Sequence, residues 1–220
     1  MHLIDTDVNF MASTPIVGGT APVGMGAAWA SKLSSKDNVV AVFFGDGCFE
    51  EGVIHECMNF AKLHELPLIF VCENNHYSVY TPISLRQPNR PIHLIAAAHG
   101  WESFKGNGNS VFEVFELAKA ARNRIVEGRG PQFLELETYR VREHCGPDYD
   151  DNLGYRNAIE IQNGQSNCPI DEVVDFIKRN NRNAEEALHM IDNEIDLRVE
   201  SALSFARSCP SPKKWTSNND

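Results

Sequence analysis

The sequence predicts an α/β protein: a parallel sheet covered by helices on both faces, three layers in all, with a C-terminal helical appendage. Three observations predict it. Val39-Val-Ala-Val-Phe-Phe44 and Leu68-Ile-Phe-Val-Cys72 are short unbroken apolar runs, the pattern of parallel strands buried on both faces. Stretches of helical spacing alternate with these runs, as strand–helix–strand units require. A polar, aromatic-poor stretch from Gly146 to Asn167 then separates this region from two further amphipathic stretches. The domain limits this implies are residues 1–158 for the α/β domain, 159–208 for the helices and 209–220 for a tail.

The elements follow in order. A small-residue helix is expected from Pro22 to Leu33, then the strand Val39–Phe44. A helix from Glu50 to His64 is closed by Pro67, which has no N–H to continue it, and leads into the strand Leu68–Cys72. The crossover between parallel strands is expected to be right-handed. Ser110-Val-Phe-Glu113 is a capping box opening a helix whose apolar positions Val111, Val114, Phe115, Ala118, Ala121 and Ile125 share one face. Phe133–Leu136 supplies a third strand, and the polar stretch from Gly146 to Asn167 reads as a long loop. Helices at Ile170–Arg179 and Ala184–Ala206 follow, the second with an apolar stripe at Leu188, Ile191, Ile195, Val199, Ala202 and Ala206. The tail from Pro210 to Asp220 has too little apolar surface to fold alone.

Composition narrows the function. The 220 residues are 42% hydrophobic, enough for one sizeable core. Lys+Arg 20 against Asp+Glu 30 leaves a net charge of -10 with no basic run, which argues against nucleic acid or anionic lipid as partner. No apolar run reaches the roughly 20 residues that span a bilayer, so no membrane association is expected. The six cysteines are scattered without a Cys-x-x-Cys pair or a secretory apolar region, so neither a disulfide framework nor a zinc site is expected, and a cytoplasmic location is.

The chemistry concentrates at two strand ends. Gly45-Asp46-Gly47 stands where the first strand gives way to a helix, the crevice position at which open α/β sheets bind ligands. Glycines let the backbone approach phosphate oxygens, and a helix N-terminus offers unpaired N–H donors. The Asp46 carboxylate repels such an anion unless a cation lies between them. The second strand ends at Glu73-Asn74-Asn75-His76-Tyr77, so its tip lies beside the first although Asp46 and Asn75 are 29 positions apart. A carboxylate, an amide carbonyl and a backbone carbonyl are hard oxygen ligands of the kind Mg²⁺ accepts, with phosphate and water completing its shell. The arrangement reads as a metal–diphosphate clamp.

Gly-Asp-Gly followed after 26 intervening residues by Asn-Asn resembles the thiamine diphosphate signature of the transketolase-like superfamily. Pro15-Ile-Val-Gly-Gly-Thr-Ala-Pro-Val-Gly-Met-Gly26, Pro67-Leu-Ile-Phe-Val-Cys-Glu-Asn-Asn75, Gly130-Pro131 and Glu137-Thr-Tyr-Arg140 narrow the resemblance to alpha subunits of pyruvate, branched-chain 2-oxo acid and acetoin dehydrogenases. Cys168-Pro-Ile170 and Phe205-Ala-Arg-Ser-Cys-Pro-Ser-Pro212 are similar to those subunits' C-terminal segments. The fold it implies is the thiamine diphosphate-binding one.

The resemblance implies roles. Asp46, Asn75 and the backbone carbonyl of Tyr77 hold Mg²⁺; Gly47 and Cys48 offer backbone contacts to the diphosphate; Pro15 and Val17 touch the aminopyrimidine through their backbones. His144 belongs to a mobile active-site loop, where it contacts the cofactor phosphate and acts in catalysis. The same resemblance implies a beta-type partner that supplies the activating glutamate, a 2-oxo acid or acetoin as substrate, and an acceptor such as the lipoyl group of an acyltransferase. Two departures matter. Met1-His-Leu-Ile falls inside the usual alpha subunit, so the N-terminal segment and its Tyr-Arg pair are expected on another chain or lost. Where relatives carry His-Gly-His followed by serine or histidine, this sequence reads Arg142-Glu143-His144-Cys145, and an Arg with several carboxylates up to Asp151 alters the pocket charge. Another thiamine-dependent lyase or ligase, and a catalytically silent partner chain, remain open.

Overall fold

The computed structural model describes residues 2–34 and 37–211. They form two compact units, Met1–Pro169 and Ile170–Asp220. The expected tail lies outside the described residues from position 212 onward.

The first unit runs α1 (Thr20–Leu33), β1 (Val40–Gly45), α2 (Gly52–Leu63), β2 (Leu68–Asn74), β3 (Tyr77–Ser78), β4 (Thr81–Pro82), α3 (Ile92–Ala98), β5 (Glu102–Asn107), α4 (Val111–Val126), β6 (Gln132–Glu137) and α5 (Ala158–Ser166). Four strands form one sheet in the order β1-β2-β6-β5, every pairing parallel, and β3 with β4 makes a small hairpin. One face of the sheet buries Val42, Phe44, Phe70 and Phe133 against α1, α2 and α3; the other buries Ile69, Val71, Leu134 and Leu136 against Ala121 and Ile125 of α4. These are the three layers expected, and the β1–α2–β2 unit sets the two chemistry-bearing strand ends side by side. Gly24 lets α1 lie against β1, since a Cβ there would stand 2.2 Å from Val42 Cγ2.

Two expectations need correction, and one strand was not foreseen. The first strand is not buried on both faces: Val42 and Phe44 are in the core, but Phe43 is 61% exposed, because β1 is an edge strand of the sheet and α4 packs mainly over β6, β5 and β2. The stretch from Gly146 to Asn167 is not all loop, because Asn157 caps α5 by accepting the Glu160 N–H at 2.9 Å. That helix lacks an apolar stripe, so periodicity does not reveal it. The polar strand β5 escaped the reading for a related reason: it occupies the other sheet edge and needs few apolar residues.

In the second unit, α6 (Pro169–Asn180) carries Asp171 and Glu172 in its first turn and Lys178 and Arg179 in its last, matching the helix dipole at both ends. The longer α7 (Ala184–Ser208) keeps Ile191, Ile195 and Val199 exposed. No helix among the described residues is long and apolar enough to cross a membrane.

Candidate functional site

Because the four strands run parallel, their carboxyl ends share one edge of the sheet. Gly45 pairs with Glu73, and Asn74 with Glu137, so Asp46, Asn75 and Thr138 are the first residues beyond neighbouring strands. The two side chains read as metal ligands thus leave adjacent strand ends.

Asp46 is fully buried. Its Oδ2 pairs with the Arg86 guanidinium, which also pairs with Glu50, whereas Oδ1 is buried without a hydrogen-bond partner. A buried carboxylate oxygen in that state is costly unless something positive meets it. Just beyond, Gly47 precedes a one-turn helix at Cys48–Glu50, and α2 itself begins at Gly52. Among the described residues neither the Gly47 nor the Cys48 N–H is hydrogen-bonded. A Cβ at Gly47 would stand 2.7 Å from Ser78 Oγ and 2.9 Å from Ser78 Cβ, so this backbone is in contact with the β3–β4 hairpin. Gly47→Ala is therefore expected to push the hairpin away, lowering stability by about 1–3 kcal/mol in a thermal melt, with partial recovery in the Gly47→Ala, Ser78→Gly double variant. Burial pushes the Cys48 thiol up, against a Gly18 backbone hydrogen bond that favours the thiolate. The turn after Pro15 and Val17, both exposed, lies close by, since a Cβ at Gly18 would stand 2.9 Å from Val53 Cγ1 and 3.3 Å from Glu51 Cβ.

The other side of the site is a turn fixed by two successive asparagines. Asn74 Oδ1 accepts the His76 N–H and Asn75 Oδ1 the Tyr77 N–H, each at 3.0 Å. His76 and Val79 have φ of 66° and 54°, and for a β-branched residue such as Val79 that conformation is strained by about 1–3 kcal/mol. The Tyr77 phenol donates to Glu160 Oε2 at 3.0 Å, and burial with that bond pushes its pKa up to about 12.

Below the turn, Glu135 of β6 is 2% exposed and receives the Asn74 amide at 2.8 Å, the His93 N–H at 2.9 Å and His93 Nδ1 at 2.7 Å. Burial alone raises its pKa, but the His93 and Asn74 hydrogen bonds outweigh it and hold the carboxyl below the usual range. With the folded pKa depressed, the stabilisation is present above the unfolded value of about 4.3 and is lost as pH falls through the folded one. Glu135→Gln is expected to cost about 1–3 kcal/mol at neutral pH and to flatten this acid-side loss, both read by thermal denaturation across pH.

Past β6 the chain ties itself into a knot. Asp150, its side chain fully buried, accepts Arg140 Nη2 at 3.0 Å and the Tyr155 hydroxyl at 2.6 Å, with Arg156 Nη1 3.5 Å from its other oxygen. Arg140 Nη2 also donates to Val79 O at 2.9 Å, joining the knot to the hairpin. Asp150 therefore does not add charge to an open pocket, as the sequence reading of this loop supposed. His144 is exposed on the intervening loop and makes no hydrogen bond or ion pair among the described residues. That loop is held by Arg142, which stacks 3.9 Å over the Tyr149 ring and donates to Pro147 O at 2.8 Å.

Residues 1–214 match the family described as Dehydrogenase E1 component. The chain belongs to this E1 family. The E1 chain is 31% identical over 214 residues to the pyruvate dehydrogenase E1 component subunit alpha of Rickettsia bellii, covering 97% of itself and 65% of that protein. It is 32% identical to the 2-oxoisovalerate dehydrogenase subunit alpha of Bacillus subtilis, over 89% of itself and 60% of that protein. Identity reaches 35% with the chloroplastic pyruvate dehydrogenase E1 component subunit alpha-3 of Arabidopsis thaliana, over 96% of itself and 50% of that protein. The E1 chain thus spans between 50% and 65% of the length of these three relatives. A solved transketolase mutant from Pichia stipitis covers 60% of the E1 chain and 21% of its own, at TM-score 0.48 and 22% identity.

Sequence reasoning missed Arg86, Glu50 and the Glu135–His93 pair. Arg86 lies 40 positions from Asp46, and only the return of the hairpin brings them together. Glu135 could have been suspected, since it is a charged residue within the otherwise apolar run Phe133–Leu136.

Proposed function

We propose that this E1 chain is the metal- and cofactor-holding, alpha-type part of a thiamine diphosphate- and Mg²⁺-dependent 2-oxo acid or acetoin dehydrogenase. One observation carries the reading: the fully buried Asp46 presents an unpartnered Oδ1 beside the unbonded N–H groups of Gly47 and Cys48, at the carboxyl edge of the sheet. Among the described residues no three His, Cys, Asp or Glu side chains converge on a metal position. One buried carboxylate with an amide and a backbone carbonyl oxygen suits Mg²⁺, which is commonly held by one or two carboxylates together with phosphate oxygens and water.

Asp46 Oδ1, Asn75 Oδ1 and the Tyr77 carbonyl would hold Mg²⁺. The Asn75 oxygen already accepts the Tyr77 N–H, but an amide carbonyl has a second lone pair for a metal. The Gly47 and Cys48 N–H groups would bind the diphosphate, and the backbones of Pro15 and Val17 the aminopyrimidine. Thiamine diphosphate, when bound, supplies the electron sink that stabilises a carbanion. Around it, the Asn74–Glu135–His93 network keeps the Asn75 turn in place, and the Asp150 cluster anchors the loop from which His144 would contact the cofactor phosphate and help order the loop around the substrate. The partners of this reading are a beta-type subunit and an acyl acceptor such as a lipoyl group.

The test is reconstitution with the candidate beta subunit. Expected is CO₂ release from a 2-oxo acid, or cleavage of acetoin, that requires both chains, with acyl transfer to a lipoylated domain. The stacked Arg142–Tyr149 loop favours a second reading, another thiamine-dependent lyase or ligase, for which decarboxylation proceeds but the lipoyl domain stays unacylated. No turnover of any 2-oxo acid or acetoin with the partner present would refute the main reading.

A further inference from the structure

Arg86 sits where a clamp for a metal would not need it. It follows the helical turn Ile83–Leu85, its side chain is 10% exposed, and its guanidinium pairs with both Asp46 and Glu50. Its Nε donates to Thr81 O at 3.1 Å, and Gln87 Nε2 donates to the same Glu50 oxygen at 2.8 Å. A guanidinium keeps its charge at any working pH and presents its donors in a fixed fork. Arg86 is thus an internal cation on the one carboxylate that the metal reading depends on.

We propose that Arg86 competes with the divalent cation for Asp46 and so sets the metal affinity of the site, binding of the metal–diphosphate pair drawing Arg86 off Asp46 while Glu50 retains it. This rests on the reading of Asp46 as a Mg²⁺ ligand. Competition follows from charge and geometry. Mg²⁺ requires oxygen ligands at about 2.0–2.1 Å in an octahedral shell, and a guanidinium bonded to the same carboxylate both withdraws electron density from it and sets a second positive charge beside the ion. In a buried site that repulsion is only weakly screened. Glu50, with a side chain 31% exposed, gives Arg86 a second anchor, so leaving Asp46 does not strand its charge.

The experiment compares wild type, Arg86→Gln and Arg86→Lys as full chains, with and without the beta-type partner. Mg²⁺ is titrated calorimetrically at saturating thiamine diphosphate, and Tm is read with and without Mg²⁺. Arg86→Gln is expected to bind Mg²⁺ about tenfold more tightly than wild type, within the ordinary range of coupling between two binding events, and Arg86→Lys to fall between them. Without Mg²⁺ the Arg86→Gln variant is expected to melt below wild type, because Asp46 is left buried and unpaired, and to gain more from added Mg²⁺. If wild type binds Mg²⁺ and the variants bind it equally or more weakly, Arg86 does not compete and the proposal is overturned with the clamp intact. If none of the three binds Mg²⁺ in either setting while all unfold cooperatively, the clamp reading itself fails. Should Arg86→Gln not fold, Arg86→Lys decides by the same comparison.

Discussion

Asp46→Ala is expected to weaken Mg²⁺-dependent binding of thiamine diphosphate by more than about 100-fold. Losing a hydrogen bond that merely orients a metal ligand typically costs about 10–100-fold, and Asp46 is the one carboxylate read here as bonding the metal directly. Asp46→Asn is the informative companion: it keeps an oxygen in place and removes only the charge, so an equal loss assigns the effect to charge and a smaller one to geometry. The fold is expected to tolerate the change, because Arg86 keeps its pairing with Glu50. Calorimetric titration gives the affinity, and the thermal melt shows whether the chain is intact.

The second large effect is on stability. Asp150→Asn removes the carboxylate between Arg140 and Arg156, whose side chains are 16% and 1% exposed, and leaves two cations without a counter-charge. Breaking a buried pair from one side costs about 3–5 kcal/mol, which lowers Tm by roughly 10 °C in a unit of this size. Arg140 also donates to Val79, so the hairpin carrying Tyr77 is expected to loosen, and the loop around His144 to become more readily cut by protease. The pH dependence has a definite sign. Burial raises the Asp150 pKa, but the hydrogen bonds from Tyr155 and Arg140 and the charge of Arg156 outweigh it and hold the carboxyl below its usual range. Its contribution is therefore full above the unfolded pKa of about 3.9 and fades as pH falls through the lower folded value. Asp150→Asn is expected to lack that acid-side fall.

The parts of this molecule visible in its sequence are those governed by local pattern. Leu68–Cys72 is apolar throughout because both faces are covered, and its parallel pairing with the first strand places Asp46 next to Asn75, as two motifs far apart in sequence suggested. The same rule failed at Phe43, since an apolar run does not report whether a helix reaches the edge strand. It failed again at β5 and α5, whose polar sequences fold because neighbours and caps supply what their own apolar content does not. Within the site, ligand types and backbone donors were legible from residue identity. The partners of those residues were not: Arg86 on Asp46, Glu135 under Asn74 and Asp150 between two arginines are contacts across 40, 61 and 6–10 positions, decided by tertiary packing.

The most direct test of the central claim is calorimetric titration of thiamine diphosphate into the chain with its beta-type partner, with Mg²⁺ present and again in excess chelator. The clamp predicts saturable binding with Mg²⁺ and its loss in chelator, since the diphosphate then meets the unpartnered Asp46 Oδ1 with no metal between them. Binding of equal strength in chelator, or none even with Mg²⁺ and the partner, would contradict it.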